Sequence, residues 1–180
     1  MILSYDESIR AYGSDYKLKK ELAAGNIYQL EKGLYSDRPR CTEKAIISFK
    51  YPRAVFSGES AFYYHGLTDV IPDSYTLATR RQDSRIKQKN INQIFIRNDL
   101  FDMGIEVIDS NGDEIRIYNL ERMLIELVRS RTKYSLNYYK EIIGNYRNRI
   151  YSMDFGKLEE YASKFKSYDR IMNTIQMEVL

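Results

Sequence analysis

Six residues in one short stretch of the chain carry side chains suited to contact nucleic acid: Ser14, Tyr16, Lys17, Lys19, Lys20 and Lys32. Lysine ammonium groups bind phosphate, and side chains at the N-terminal end of an exposed helix can reach base edges in a duplex groove. Two nearby carboxylates, Asp15 and Glu21, offset part of this positive charge. The pattern therefore predicts a DNA-binding helix followed by a basic turn, and it also fits an exposed helix that has no partner.

The charged residues are arranged in alternating blocks, although the net charge of the chain is only +3. Residues 80–97 hold six basic side chains and one acidic one, and residues 98–127 hold two basic and eight acidic ones. Residues 128–151 are again basic, with six basic side chains and one acidic one. Such blocks indicate separate faces for separate partners, or solvated surfaces that balance each other.

The sequence contains fragments of two metal-dependent active-site patterns, and both are incomplete. Gly13-Ser14 matches the Gly-Ser of a nucleotidyltransferase, but no suitably placed pair of carboxylates one residue apart follows it to hold two metal ions. A nuclease built on Asp99, Asp102 or Glu106 lacks the lysine that such a site needs. We therefore expect that the protein is not an enzyme, and an enzyme acting on nucleic acid is the weakest alternative.

The chain has one cysteine, Cys41, and one histidine, His65. Two such ligands are too few for a structural zinc site, and a single cysteine excludes an intrachain disulfide. A catalytic thiol–imidazole pair would need an electropositive niche for the thiolate, whereas Cys41 lies in a predicted linker. His65 ends an apolar helix, where an imidazole more often caps carbonyl groups. We expect no metal and no cofactor.

Residues 1–37 have the pattern of a small winged helix-turn-helix. Apolar residues at helical spacing predict one helix over residues 1–12 and a second, basic helix over residues 15–24. A two-stranded ribbon with a tight turn follows over residues 27–36. Residues 38–41 are polar, contain a proline and are interpreted as a linker.

Residues 42–180 are predicted to form a mixed α/β domain that ends in a helical segment. Strands are expected near residues 74–79, 93–97, 104–109 and 114–118. The last two are joined through Asn111-Gly112, a strong hairpin signal. From Asn119 onward the apolar residues recur at helical spacing. The predicted fold class is therefore α+β.

The composition is that of a folded globular protein, with 43% apolar and 29% charged residues in 180. No stretch approaches the ~20 apolar residues of a membrane span. The first residues also lack the basic and apolar regions of a secretory signal. We expect a cytoplasmic protein without a membrane partner.

Two motifs resemble those of a known family. Gly33-Leu34-Tyr35-Ser36 is similar to the signature that closes the family's wing. Residues 54–69, AVFSGESAFYYHGLTD, with Ile71-Pro72 and Thr79-Arg80-Arg81, resemble its central signature, in which a helix carries Ser-Ala and His-Gly-Leu before a strand that ends near an arginine pair. Together the motifs resemble AbiEi-type antitoxins, the regulators of type IV (AbiEi–AbiEii) toxin–antitoxin pairs in abortive infection and antiviral defence. The resemblance extends from residue 13 to about residue 130.

The resemblance implies that the N-terminal domain binds double-stranded operator DNA and represses its own operon. It implies that the C-terminal domain counteracts a cognate nucleotidyltransferase toxin, directly or indirectly. The DNA contacts of the family correspond here to Ser14, Tyr16, Lys17, Lys19, Lys20 and Lys32, with further basic residues at Arg80, Arg81 and Arg85. The N-terminal unit departs from the family pattern, because two helices precede the wing where a full winged helix has three. The alternative hypothesis is a protein-interaction module that neutralises a partner enzyme without binding DNA.

Overall fold

The computed structural model describes residues 1–110 and 112–180, so Asn111, predicted to lie in a hairpin turn, is outside the described residues. The chain forms two compact units, Met1–Pro52 and Arg53–Leu180. The protein is a mixed α+β protein with two sheets, and its last element is a helix, as the sequence predicted.

The first unit contains a three-stranded sheet and three helices among the residues described. In chain order its elements are β1 (Ile2–Ser4), α1 (Tyr5–Tyr12), α2 (Asp15–Ala24), β2 (Tyr28–Glu31), β3 (Leu34–Ser36) and α3 (Glu43–Lys50). The strands are antiparallel in the order β1-β3-β2. This unit includes α3 and ends at Pro52, whereas the sequence-based division ended the first domain at residue 37.

The chain begins with a strand, and the prediction of a helix from residue 1 is wrong for its first residues. Ile2 and Leu3 pair with β3 instead. The helix α1 starts only after Ser4, whose hydroxyl accepts a hydrogen bond from the Glu7 N–H at 3.3 Å. The Glu7 carboxylate in turn accepts a bond from the Ser4 N–H at 2.8 Å, which completes a capping box. The strand pairing and the cap together place the boundary at Ser4.

The second unit contains a five-stranded sheet and a set of helices. Its elements are β4 (Val55–Phe56), α4 (Gly58–Tyr64), β5 (Tyr75–Arg80), β6 (Ile91–Ile96), α5 (Asn98–Phe101), β7 (Ile105–Ser110), β8 (Asp113–Tyr118), α6 (Leu120–Arg129), α7 (Leu136–Asn148), α8 (Phe155–Ser163) and α9 (Tyr168–Glu178). The four strands predicted in this region are confirmed as β5 to β8.

The strands of the second sheet lie in the order β6-β5-β4-β8-β7. β5 pairs parallel with β6, and β4 pairs parallel with β8, while the other two pairs are antiparallel. The core is closed by α6, whose Met123, Leu124 and Leu127 are fully buried. The sheet therefore ends at β6 on one side and at β7 on the other.

Among residues 1–110 and 112–180, no helix is both long enough and apolar enough to cross a membrane.

Candidate nucleic-acid interface

The candidate interface is built on α2, and the turn before this helix sets its direction. Gly13 ends α1 with a φ of 89°, and its N–H donates to the Ile9 carbonyl at 2.7 Å. Only glycine adopts this left-handed conformation without strain. Ser14 then returns to extended backbone, and its hydroxyl accepts the Lys17 N–H at 3.2 Å. Ser14 therefore serves as the N-cap of α2.

One face of α2 is held in the core of the first unit. Leu18 is buried with Ile27 and Tyr35, and Leu22 packs against this cluster. The other faces of α2 are exposed, and Tyr16 has 78% of its surface accessible. The side chains predicted to contact nucleic acid lie on these exposed faces: Tyr16, Lys17, Lys19 and Lys20.

The three lysines of α2 differ in their electrostatic surroundings. The Lys19 ammonium lies 2.7 Å from the Asp15 carboxylate, which also accepts a hydrogen bond from the Tyr5 hydroxyl at 3.2 Å. The hydrogen bond from Lys19 lowers the pKa of Asp15, and the bond to Asp15 raises the pKa of Lys19. Within the described part of the chain, no carboxylate lies within 4.0 Å of the Lys17 or Lys20 ammonium. Lys17 and Lys20 are therefore the cations of α2 that phosphate can reach directly.

The turn between β2 and β3 presents Lys32 to solvent. The neighbouring carboxylate of Glu31 is bound by the Lys50 ammonium at 2.6 Å, so it does not offset the charge of Lys32. Gly33 follows with a φ of 80°, and the next residues, Leu34 and Tyr35, are buried. The motif that begins at Gly33 thus forms the turn and anchors it in the core.

The three arginines predicted to assist DNA binding have different environments. Arg80 donates two hydrogen bonds to the Asp102 carboxylate, at 2.7 and 2.6 Å, and its guanidinium lies 4.7 Å from the centre of the Phe101 ring. Arg81 and Arg85 are exposed. Arg80 therefore connects β5 to α5, whereas the other two are available to a partner.

Sequence reasoning missed that the loop between β5 and β6, which carries Arg81 and Arg85, is anchored to β6 through Gln93. The Gln93 amide donates to the Ser84 carbonyl at 3.1 Å and to the Thr79 hydroxyl at 2.8 Å, and its oxygen accepts the Ile86 N–H at 2.7 Å. No local pattern signals these contacts, because they join residues seven to fourteen positions apart.

The carboxylates considered for a nuclease are not brought together. Asp99 is bound by Arg97 at 2.5 Å, and Asp102 is bound by Arg80. Glu106 lies on β7, where burial raises its pKa. Over residues 1–110 and 112–180, no three potential metal ligands of the His, Cys, Asp or Glu type form a group.

The central motif around His65 forms a structural junction. The His65 Nε2 lies 2.7 Å from the Tyr118 carbonyl, so this nitrogen carries the proton and donates. Burial lowers the pKa of His65, and the bond to Tyr118 partly opposes that shift. The carbonyls of His65 and Gly66 accept hydrogen bonds from the Arg149 guanidinium, the second at 2.9 Å. Arg149 has no sequence signal, because it comes from the end of α7, far along the chain.

The first half of the same motif joins α4 to β5. Gly58 has a φ of 51°, and a Cβ atom there would lie 2.9 Å from the Thr76 Cγ2 atom. The Ser60 hydroxyl accepts the Thr76 N–H at 2.8 Å. Glycine and serine at these two positions therefore allow α4 to approach the strand closely.

Comparison with known proteins gives a fold relationship. No family model and no curated protein match the chain. The crystal structure of the RV2827C protein from Mycobacterium tuberculosis is similar to it, with a TM-score of 0.65 over 98% of this chain and 71% of that chain. The two sequences are 11% identical, so the similarity shows a common fold.

Proposed function

We propose that the protein is an AbiEi-type antitoxin that binds operator DNA through α2 and the β2–β3 turn and represses its own operon. The observation that carries this proposal is the combination on α2 of one buried anchor, Leu18, with exposed Tyr16, Lys17 and Lys20. Side chains so placed can contact base edges and phosphates while the helix is held rigidly from behind.

The topology of the first unit supports a winged helix-turn-helix. Two helices follow each other through a short glycine-containing turn, as in helix-turn-helix proteins. The hairpin of β2 and β3 is held by β1, a strand that precedes both helices. The hairpin turn with Lys32 then serves as the wing.

Arg81 and Arg85 provide the additional phosphate contacts of the second unit in this proposal. Their side chains are exposed, and no carboxylate of the described residues lies within ion-pair distance of either. Arg80 plays a different part, because its guanidinium already binds Asp102. We therefore expect replacement of Arg80 to affect folding more than DNA affinity.

The antitoxin function belongs, in this proposal, to the second unit, which counteracts a nucleotidyltransferase toxin. The support is the central motif, which forms an ordered junction of α4, β8 and α7 through His65 and Arg149. The resemblance to AbiEi-type proteins covers the part of this junction formed by α4 and β8. The competing hypothesis, a module that neutralises an enzyme without binding DNA, differs in the role of α2.

A reporter fused to the protein's own promoter separates the two hypotheses. The double variant Lys17→Glu/Lys20→Glu is expected to lose repression and to keep protection of cells that express the toxin. The matched control is Lys140→Glu/Lys166→Glu, which makes the same charge change at exposed positions of the second unit. Protection without repression in the wild type would favour the module without DNA binding. Repression that survives in the α2 variant would contradict operator binding through α2.

A further inference from the structure

The strand β6 forms one edge of the second sheet. It pairs with β5 on one side, and no other strand of the described residues pairs with it. Its sequence, INQIFI, contains no charged residue and no proline, and Phe95 is 44% exposed. An exposed strand of this kind is a template for another strand, because its outward N–H and C=O groups are unpaired.

The other sheet edges carry the features that normally prevent such pairing. The opposite edge, β7, includes the charged residues Glu106 and Asp109. In the first unit, β1 has three residues and β2 has four, one of them Glu31. Short length and charged side chains both block strand addition. β6 alone among these edges has neither protection.

A groove of about 530 Å³ runs along β6. Five consecutive residues of the strand, from Asn92 to Ile96, line it together with Glu59 and Tyr134. Its volume lies within the range of about 300–1,000 Å³ of ordinary binding sites. The groove is also lined by Glu59 and Lys133, two exposed residues of opposite charge, so it favours neutral side chains over charged ones.

Basic residues lie at both ends of β6. Lys87 and Lys89 precede the strand and are exposed. At the other end, the Arg81 N–H donates to the Ile96 carbonyl at 2.9 Å, which places the exposed Arg81 beside the last residue of β6. A segment lying along β6 therefore meets positive charge at its two ends and a lining of mixed charge between them.

We propose that β6 binds an extended segment of a partner protein as an added strand, with neutral β-forming residues in its centre and acidic residues at both ends. Backbone hydrogen bonds supply affinity in this mode, and the flanking charges supply specificity. A nucleic-acid strand fits less well, because phosphates cannot satisfy the alternating N–H and C=O groups of β6. A second copy of β6, paired antiparallel, would bring the basic end at Lys89 against the basic end at Arg81.

The test uses the full-length protein and a fluorescein-labelled peptide of alternating valine and threonine flanked by glutamates. We expect saturable binding in the range of about 10–100 µM. A peptide with lysines in place of the glutamates is expected to bind at least about ten-fold more weakly, as is one N-methylated at alternate backbone amides. Amide hydrogen exchange should slow in β6 when the acidic peptide binds.

Two protein variants locate the site. Phe95→Glu places a carboxylate on β6 and is expected to weaken peptide binding at least about ten-fold. Val107→Glu is the matched control, since Val107 is 60% exposed on the opposite edge strand, and its binding should equal that of the wild type. Equal effects of the two variants, unchanged binding by the N-methylated peptide, or no binding up to about 0.5 mM would overturn the proposal. Stronger binding of a fluorescein-labelled oligonucleotide than of the peptide, lost in Phe95→Glu, would assign the edge to nucleic acid.

Discussion

At the scale of single residues, the predicted DNA-contacting set divides into free and engaged side chains. The types and the approximate positions of Lys17, Lys19 and Lys20 could be read from the sequence. The pairing of Lys19 with Asp15 has i,i+4 spacing within α2 and follows from helical geometry. The additional hydrogen bond from the Tyr5 hydroxyl to Asp15 depends on how α1 meets α2, which helical spacing alone does not give. The bond between Arg80 and Asp102 joins residues 22 positions apart, and no local sequence pattern predicts it.

This division predicts unequal effects of three alanine substitutions on DNA binding. Each phosphate contact contributes about 0.9 to the slope of log K against log salt concentration. Lys17→Ala and Lys20→Ala are each expected to reduce the slope by about that amount, and Lys19→Ala by clearly less. Asp15→Asn should strengthen binding, because it releases the Lys19 ammonium and removes a negative charge. Fluorescence anisotropy with a promoter duplex measures all four, and equal slopes for the three alanine variants would refute the division.

His65 predicts a pH dependence of folding stability. Burial lowers its pKa below the ordinary 6.5 in the folded protein, so the unfolded chain takes up the proton first as the pH falls. The contribution of His65 to the free energy of unfolding is therefore fully present above about pH 6.5. Below that pH it decreases, by up to about 1.4 kcal/mol per pH unit.

The variant His65→Gln isolates this effect, because an amide can still donate to the Tyr118 carbonyl but does not titrate. Urea unfolding between pH 7.5 and 5.5 should show the stabilities of wild type and variant converging as the pH falls. Most carboxylates titrate below this window, at about pH 4, and Glu106, whose pKa is raised by burial, is present in both the wild type and the variant. Parallel curves would show that His65 is not the responsible group.

At the scale of elements, the strands β5 to β8 were predictable because apolar and β-branched residues concentrate in each. The strand β1 was not predictable, because Ile2 and Leu3 also fit a helical pattern. Only their pairing with β3, more than thirty residues later in the chain, makes them a strand. The strand order of the second sheet could not be predicted from the sequence either. The strand β4 has only two residues, yet it lies between β5 and β8 and so joins the β7–β8 hairpin to the rest of the sheet.

The close approach of α4 to β5 predicts a large effect of Gly58→Ala. The substitution combines a left-handed backbone conformation, which costs about 1–2 kcal/mol, with a contact of 2.9 Å to Thr76. We expect it to reduce the free energy of unfolding by roughly 2–4 kcal/mol. Gly112→Ala is the control, because its φ of 82° is also left-handed but, apart from its chain neighbours, no atom of the described residues lies within 4 Å of the added Cβ. Urea unfolding should show the control losing only about 1 kcal/mol, and equal losses would mean that packing against Thr76 is unimportant.

At the scale of the whole molecule, the chain consists of two compact units with different surfaces. The first carries exposed cations on α2 and at the β2–β3 turn, and the second has basic and acidic blocks on one sheet and its helices. The α+β class and the terminal helices followed from the sequence. The extent of the first unit, through α3 to Pro52, did not, because the proline-containing stretch 38–41 has the composition of a linker.

The salt dependence of duplex binding tests the central claim most directly. Lys17, Lys20, Lys32, Arg81 and Arg85 are exposed cations with no carboxylate of the described residues within 4.0 Å. A protomer that places all five on phosphates should bind its promoter duplex with a slope of log K against log salt concentration near −4.5. The variant Lys17→Glu/Lys20→Glu should bind at least about 100-fold more weakly, with a slope no steeper than about −3. The control Lys140→Glu/Lys166→Glu should keep the wild-type slope. A wild-type protein that fails to bind the duplex at low salt, or two double variants that lose affinity equally, would contradict the account.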